Sequence, residues 1–306
     1  MSISSSDEEN VFAYSKEFED AIHRMIDDPP GSAAHEHWFR MAQNRVDFQR
    51  SHFLPTILRF SPLTGKRVLE IGCGTGPSTV VMAEAGASVI ALDVDPRMTE
   101  AASLRIRDHG LAHAAQAHWV ERTDALAFPD EHFDLIVVNG VMEHVRPEMR
   151  AAILRELWRV LHRGGQMFIG ETPNRLWPID DHTTGLWWVH YLPAACARRY
   201  ALLRKRIKPA DDMFARGAFG CTYRGLMKAL PRNETHVLNV ERPYSWLEQF
   251  HHRLLNKHGL ARGIGWLAYA TLAVVQTLIL EPVFDMPLDG LMPYLSLAIE
   301  KVLPIF

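Results

Sequence analysis

Residues 67–95, with the sequence RVLEIGCGTGPSTVVMAEAGASVIALDVD, decide the fold of this chain. The apolar residues of the opening VLEI run are typical of a strand buried on both faces of a sheet. The glycines of the GCGTG turn that follows let the backbone adopt positive φ and approach a ligand closely. A helix is predicted at 79–85 and a second buried strand at 88–92, which ends beside Asp93. A carboxylate about twenty residues beyond the first glycine can accept hydrogen bonds from a ribose diol.

The glycine spacing separates two classes of nucleotide cofactor. A dinucleotide fingerprint, G-x-G-x-x-G, would place its third glycine at position 77, where this chain has proline. The glycines run G-x-G-x-G instead, and Glu70 lies two residues ahead of them, where a carboxylate suits a cationic ligand better than a pyrophosphate. The stretch 69–76, LEIGCGTG, resembles the first motif of the class I S-adenosylmethionine-dependent methyltransferases. An NAD-dependent oxidoreductase and a non-catalytic cofactor-binding protein are the rival interpretations.

Strands and helices continue to alternate beyond this unit, which predicts an α/β fold with a doubly wound parallel sheet. Further elements are predicted as helices at 96–109 and 147–161, strands at 117–121, 133–139 and 166–170, and a turn at 163–165. The resemblance implies that 236–240 and 294–301 supply the sixth strand and an antiparallel last strand. The expected fold is therefore a Rossmann-like seven-stranded sheet with helical additions.

The chain is expected to divide into four segments. The first, 1–60, is helical, and the resemblance implies a lid over the cofactor and acceptor. The second, 61–172, is the S-adenosylmethionine-binding Rossmann-like core. The third, 173–235, holds an acceptor loop and helices, and the fourth, 236–306, holds the last two strands and an apolar helical insertion.

The resemblance places the cofactor contacts at the ends of the strands. Glu70 and the glycine turn would hold the methionine end of S-adenosylmethionine, and Asp93 would hold the ribose. Asp124, which could also be a solvated loop residue, would bind the adenine amino group. The expected cofactor-binding residues are Glu70, Gly72, Cys73, Gly74, Gly76, Asp93, Val94, Asp124, Ala125, Asn139 and Val141.

The reaction class follows from the segment after the fourth strand. FD at 133–134 and EHV at 143–145 are similar to segments of small-molecule and lipid-quinone methyltransferases. Neither the [DN]-P-P-[YFW] box of amino-methylating nucleic-acid enzymes nor the Pro-Cys pair of cytosine methyltransferases is present. A net charge of −3 also lacks the basic footprint of a nucleic-acid-binding protein. The resemblance therefore implies methyl transfer to oxygen or nitrogen of a small acceptor.

The nature of the acceptor is indicated by the loop 176–193, which is rich in aromatic and polar residues. Trp177, Trp187 and Trp188 favour a lipophilic or ring-containing acceptor, and a surface-polysaccharide sugar or a lipid is the alternative. If the acceptor is a hydroxyl, a neutral imidazole can take its proton. The candidate catalytic residues are His144, His182 and Tyr191. Catalysis by alignment alone is the alternative, with His144 capping a helix.

No metal is expected. Asp180, Asp181, His182 and His190 include ligand types that suit divalent ions. Adjacent aspartates more often cap a turn, however, and the family that the chain resembles mostly needs no metal. The two aspartates are therefore interpreted as turn residues.

The segment 263–280 carries no charged residue and would be about 27 Å long as a helix, the lower limit for spanning a bilayer. Because it interrupts a soluble fold, a buried or homodimer-forming helix is favoured over a span. Lining of an apolar acceptor pocket and peripheral membrane contact are the intermediate options. Three scattered cysteines and an N-terminus without a signal-peptide pattern predict a cytoplasmic protein, with membrane association as the alternative.

Overall fold

The computed structural model describes residues 12–238, 271, 274, 286–287 and 291–304. Most of the apolar segment predicted at 263–280 lies outside this description, so its burial, dimer or membrane role stays a prediction. No helix in the described ranges is both long and apolar enough to cross a membrane.

The described residues form nine strands and seven α-helices. The strands are β1 (Arg67–Ile71), β2 (Ser88–Asp93), β3 (Ala115–Trp119), β4 (Phe133–Asn139), β5 (Leu161–Pro173), β6 (Ile179–Asp180), β7 (Leu186–Trp187), β8 (Thr235–Val237) and β9 (Tyr294–Lys301). The helices are α1 (Lys16–Met25), α2 (Ala33–Phe60), α3 (Pro77–Glu84), α4 (Pro96–Asp108), α5 (Pro147–Val160), α6 (Ala194–Leu203) and α7 (Tyr223–Met227).

Seven of the strands form one sheet in the order β3-β2-β1-β4-β5-β9-β8. Strands β2 and β3, β1 and β4, and β4 and β5 pair in parallel. Strand β9 is antiparallel to both β5 and β8. The predicted seven-stranded Rossmann-like sheet with an antiparallel last strand is therefore confirmed. The remaining strands, β6 and β7, form a separate two-stranded hairpin.

Two compact units can be distinguished by their internal contacts. The first comprises residues up to Leu58, 62–66 and 73–121. Its helices α1, α2 and α4 share a core in which Tyr14, Phe18 and Ala101 are buried. The guanidinium of Arg105 is fully buried over the Tyr14 and Phe18 rings, and it donates a hydrogen bond to the carbonyl of Ala42.

The second unit comprises residues 59–61, 67–72 and the chain from Arg122 onward. Its strands are buried along most of their length, as the sequence pattern predicts for a sheet covered on both faces. Buried Lys301 on β9 donates from Nζ to the carbonyl oxygens of Trp158 and Leu161. A cation at the end of α5 satisfies carbonyls that the helix leaves without partners.

Three predicted boundaries are wrong. The sequence pattern predicts a helix from 34 to about 53, but α2 continues to Phe60, because Phe53, Ile57 and Phe60 keep a buried stripe at helical spacing despite Pro55. Strand β3 begins and ends two residues earlier than predicted. The predicted turn at 163–165 instead lies within β5, where the register with β4 is irregular.

Candidate active site

The glycine turn after β1 has the conformation that its sequence predicts. Gly72, Gly74 and Gly76 have φ of 69°, 54° and 79°, a region that residues with a Cβ atom rarely adopt. A Cβ atom on Gly72 would overlap Cγ2 of Val141, whereas one on Gly74 would meet nothing within 4 Å. The turn therefore has open space at Gly74, where a bound group can approach the backbone.

Asp93 lies at the end of β2, and its carboxylate is bonded to two backbone amides. Oδ2 accepts a hydrogen bond from Gly74 N and Oδ1 accepts one from Asp95 N, both at 2.9 Å. Sequence reasoning assigned Asp93 to the ribose and missed this second role. The carboxylate joins the glycine turn to the end of β2, while each oxygen keeps a lone pair for a further donor. The neighbouring Val94 is exposed.

Cys73 fills a buried position of the turn. Its side chain packs with Ala91 and Ala102, and its amide donates to the carbonyl of Leu92 at 3.1 Å. The packing at this position suits a small side chain. The cofactor contact predicted for Cys73 stays a prediction.

Asp124 and Ala125 lie in the loop after β3. The guanidinium of Arg122 contacts both carboxylate oxygens of Asp124, at 2.6 and 2.7 Å, and these hydrogen bonds lower the pKa of Asp124. Asp124 is therefore ionised at neutral pH and already held by an arginine. Its adenine role stays a prediction.

Two polar side chains lie on adjacent strands near their carboxyl ends, Glu70 on β1 and Asn139 on β4. Glu70 on β1 is 2% exposed. At the end of β4, Oδ1 of Asn139 is buried and has no hydrogen-bond partner among the described residues. Since buried acceptors are nearly always bonded, this oxygen indicates a place for a donor group of a ligand. Two features, each within its own unit, separately fit a contact to S-adenosylmethionine: the turn at Gly74 in the first unit and this oxygen in the second.

A second group of polar residues is formed by Glu143, His144 and His182, which we call the Glu–His–His cluster. Glu143 and His144 follow β4, and His182 lies in the turn between β6 and β7. Oε1 of Glu143 lies 3.7 Å from Nε2 of His144 and 3.9 Å from Nε2 of His182. The two imidazole rings have centroids 5.6 Å apart. The structure therefore brings together two of the three predicted catalytic residues.

The hydrogen bonds of the two imidazoles decide their tautomers. Nδ1 of His144 lies 2.7 Å from the carbonyl oxygen of Ala215, which can only accept. Nδ1 of His182 lies 3.1 Å from Oγ1 of Thr183, and that hydroxyl donates its own proton to the carbonyl of Arg216. Both Nδ1 atoms therefore carry a proton, and the neutral form of each imidazole presents its Nε2 lone pair towards Glu143.

Glu143 is the member of the cluster that sequence reasoning missed. Its side chain is 1% exposed, and burial raises its pKa to about 7. Within the described part of the chain, Oε2 has no hydrogen-bond partner. Burial, and then the proximity of His144, lower the pKa of His182, which keeps that imidazole neutral at pH 7. The sequence could have indicated Glu143, because the EHV segment at 143–145 follows the carboxyl end of a central strand, where ligands of such sheets are bound.

Tyr191 is placed differently. Its hydroxyl donates to the carbonyl of Leu176, and its ring lies 5.9 Å from that of Trp188. Trp187, Trp188 and Tyr191 are 52%, 58% and 51% exposed, so they form an aromatic surface beside the hairpin rather than part of the core. This exposure suits contact with a flat or apolar group.

The predicted turn-capping role of Asp180 is seen in the hairpin. Oδ1 accepts from Thr183 N at 3.1 Å, and Oδ2 accepts from the amide and hydroxyl of Thr184 at 3.0 and 2.6 Å. His190 is buried, with Nδ1 donating to the carbonyl of Trp177 and Nε2 at 3.7 Å from Asp180. Asp180 and His190 therefore hold the hairpin that carries His182.

Comparison with known proteins identifies the type of domain. The family model described as "Methyltransferase domain" matches residues 69–169. The chain is 32% identical over 187 residues to the ubiquinone/menaquinone biosynthesis C-methyltransferase UbiE of Vibrio vulnificus, covering 58% of this chain and 67% of that protein. It is 37% identical over 115 residues to a ubiquinone biosynthesis O-methyltransferase of Xanthomonas oryzae, covering 37% of this chain and 45% of that protein.

Comparison with solved structures gives a further similarity. A SAM-dependent methyltransferase from Methanosarcina mazei is 27% identical, with a TM-score of 0.36 over 39% of this chain and 58% of that one.

Proposed function

The chain belongs to the class I S-adenosylmethionine-dependent methyltransferases, and from that premise we propose that it methylates oxygen or nitrogen of a small acceptor with an apolar or ring-shaped body. S-adenosylmethionine is the cofactor, and it supplies a methyl carbon that the adjacent sulfonium activates. The residues of the chain then have to align the acceptor, exclude water and remove a proton from it.

The proposed cofactor contacts are those that the first motif implies. Glu70 is assigned to the cationic methionine end, Asp93 to the ribose and Asp124 to the adenine. Positive φ and open space at Gly74 support close approach of the cofactor to the backbone. The unpartnered buried Oδ1 of Asn139 supports a contact with a donor group near the sulfonium.

The single observation that carries the proposed chemistry is the Glu–His–His cluster. Two imidazoles present Nε2 lone pairs beside a buried carboxyl group, at the end of the strand where ligands of such sheets are bound. A hydroxyl or amine that reacts with the methyl carbon must lose a proton, and this cluster is the proposed place of that loss. Tyr191 is assigned to acceptor binding, since its hydroxyl is bonded to Leu176.

The acceptor is proposed to contain a ring with a hydroxyl group. The exposed rings of Trp187, Trp188 and Tyr191 lie on and beside the hairpin that carries His182. The names of both sequence relatives refer to ubiquinone biosynthesis, which supports a phenolic ring as the acceptor class. A surface-polysaccharide sugar would also stack on tryptophan and is the alternative to be tested.

The cofactor is tested by calorimetry with S-adenosylmethionine and, separately, with NAD. We expect saturable binding of S-adenosylmethionine at a single site and no heat with NAD. Binding of NAD alone would overturn the proposal in favour of an oxidoreductase.

The acceptor is tested with the labelled cofactor and a panel of catechols, quinols with short side chains, and monosaccharides. We expect methylated phenolic products, with the methylated atom identified by NMR. His144→Ala and His182→Ala should lower turnover by about 100-fold, the usual contribution of a positioned proton acceptor. His162→Ala, which changes an exposed histidine of β5, is the matched control. Full turnover in both cluster variants would leave alignment alone as the mechanism.

A further inference from the structure

The three groups of the Glu–His–His cluster are spaced as ligands rather than as hydrogen-bonded partners. Glu143, His144 and His182 each offer one atom, and these atoms lie within 4.8 Å of one another. The separations from Oε1 of Glu143 to the two Nε2 atoms, 3.7 and 3.9 Å, exceed hydrogen-bond length. Two ligands at 2.0–2.2 Å from one tetrahedral ion would be about 3.4 Å apart. The two Glu–His separations lie within about 0.5 Å of that value, and no separation in the group exceeds 4.8 Å.

The hydrogen bonds behind the imidazoles have the arrangement found around metal sites. A histidine that binds a metal through one nitrogen usually donates its other N–H to a carbonyl, carboxylate or other acceptor, which orients the ring. Here Nδ1 of His144 donates to the carbonyl of Ala215, and Nδ1 of His182 donates to the hydroxyl of Thr183. Thr183 is itself oriented by the carbonyl of Arg216. Both imidazoles are thus oriented with Nε2 towards Glu143.

The buried carboxyl group supplies an independent observation. Oε2 of Glu143 is buried, and none of the described residues gives it a hydrogen bond. A buried carboxylate oxygen without a partner is costly, and a cation bound by the carboxyl group lowers that cost. The side chains of His144 and His182 are 41% and 28% exposed, so the same site is open to solvent on the histidine side.

We propose that Glu143, His144 and His182 bind one divalent transition-metal ion. Two imidazole nitrogens and one carboxylate suit first-row ions such as Zn²⁺, Fe²⁺ and Co²⁺ better than Mg²⁺, which prefers oxygen ligands. Three protein ligands leave coordination positions open for water or an acceptor oxygen. The sequence predicted no metal, because adjacent aspartates more often cap a turn and the family that the chain resembles mostly needs none. The group considered there was Asp180, Asp181, His182 and His190, which does not include Glu143 or His144.

The role of the ion rests on the proposed function, whereas its binding does not. An acceptor hydroxyl on an open position would have its pKa lowered by the ion, and its proton would pass to solvent. An oxygen lone pair then forms the C–O bond to the methyl carbon while the C–S bond breaks and its electron pair stays on sulfur. In this arrangement the histidines act as ligands, and the lower turnover expected for their alanine variants would arise from loss of the ion rather than from loss of an imidazole base.

The proposal is tested by titrating Co²⁺ into the full chain after chelator treatment and tag removal, without cofactor or acceptor. We expect one equivalent to bind, with visible absorption bands and a calorimetric signal. His144→Ala, His182→Ala and the near-isosteric Glu143→Gln should each weaken Co²⁺ binding at least tenfold. His162→Ala should bind like the wild type. Circular dichroism melting of every variant separates lost binding from lost folding.

Two results would overturn the proposal: no saturable Co²⁺ binding by the wild type, or unchanged affinity in folded Glu143→Gln and His182→Ala proteins. The role of the ion has its own readout, since methylation by the metal-free protein should recover when Zn²⁺ or Co²⁺ is restored. Full methylation without metal would reject that role but not the methyltransferase activity. If the protein binds one ion but methylates no hydroxyl or amine acceptor, the proposed function is rejected and the metal site is still supported.

Discussion

A Cβ atom on Gly217 would lie 2.8 Å from Cγ of Glu143. It would also lie 3.1 Å from Cε1 of His182, so this one glycine borders two members of the Glu–His–His cluster. Gly217 has φ of 77°. Its lack of a side chain therefore matters twice, for the backbone conformation and for the space that the cluster occupies.

We expect Gly217→Ala to lower methyl transfer and Co²⁺ affinity at least tenfold, because Glu143 and His182 must move apart to admit the methyl group. The control is Gly164→Ala, which has a similar φ of 76° but nothing within 4 Å of the added Cβ. Both variants carry backbone strain of about 1–2 kcal/mol, which melting experiments measure. Equal activity in the two variants would show that the space beside Glu143 is not needed.

The contact between Gly72 and Val141 gives a second prediction. We expect Gly72→Ala to weaken binding of S-adenosylhomocysteine, since the added Cβ overlaps the Val141 side chain at a φ of 69°. Gly110→Ala, with φ of 70° and open space, controls for strain alone. In the double variant Gly72→Ala/Val141→Ala, calorimetry should recover part of the lost affinity. No recovery would mean that steric overlap is not the cause.

Asp93 is expected to be required for cofactor binding. Asp93→Asn places an amide nitrogen against a backbone N–H of Gly74 or Asp95, so a charge-assisted hydrogen bond is lost. We expect affinity for S-adenosylmethionine to fall about 10- to 100-fold, and Asp93→Ala to abolish measurable binding. Asp95→Asn, the same chemical change two residues later, should bind nearly as the wild type. Wild-type affinity in Asp93→Ala would reject the ribose assignment.

Asp95 gives a prediction for the pH dependence of stability. Its carboxylate caps α4 and accepts hydrogen bonds from Arg97, which lower the pKa of Asp95. A carboxyl group with a lowered folded-state pKa stabilises the protein above its unfolded pKa, about 3.9, and loses that contribution as the pH falls through the folded value. Because asparagine caps helices equally well, Asp95→Asn isolates the charge.

We therefore expect the unfolding free energy of Asp95→Asn to lie below that of the wild type near pH 7, by at most about 1 kcal/mol for this partly exposed pair. The gap should begin to close below about pH 4 and should be closed once the pH is below the folded-state pKa. Urea unfolding near pH 7 and below about pH 4 measures this difference in unfolding free energy. Asp20→Asn, on the exposed face of α1, controls for net charge. A gap that widens at low pH would reject this electrostatic origin.

The parts of the molecule that local sequence patterns govern could be predicted. The strand at 88–92 and the turn at 72–76 follow from buried apolar runs and from glycines that accept positive φ, and both are found. Boundaries were less predictable where packing overrides a local signal. Pro55 lies inside α2 because the buried stripe on both sides of it outweighs one missing hydrogen bond.

The sequence by itself determined that the chain forms a Rossmann-like sheet and that its cofactor is S-adenosylmethionine. It also identified His144 and His182 as candidate catalytic residues. Periodicity, glycine spacing and motif residues are all properties of neighbouring positions, which is why they could be read from the sequence. Only the tertiary structure decided that Glu143 lies within 4 Å of both histidines and that the hydroxyl of Tyr191 donates to the carbonyl of Leu176. The physical reason is that burial, tautomers and ligand spacing depend on segments far apart in the chain. The hairpin held by Asp180 brings His182 to the end of β4, and no local pattern encodes that approach.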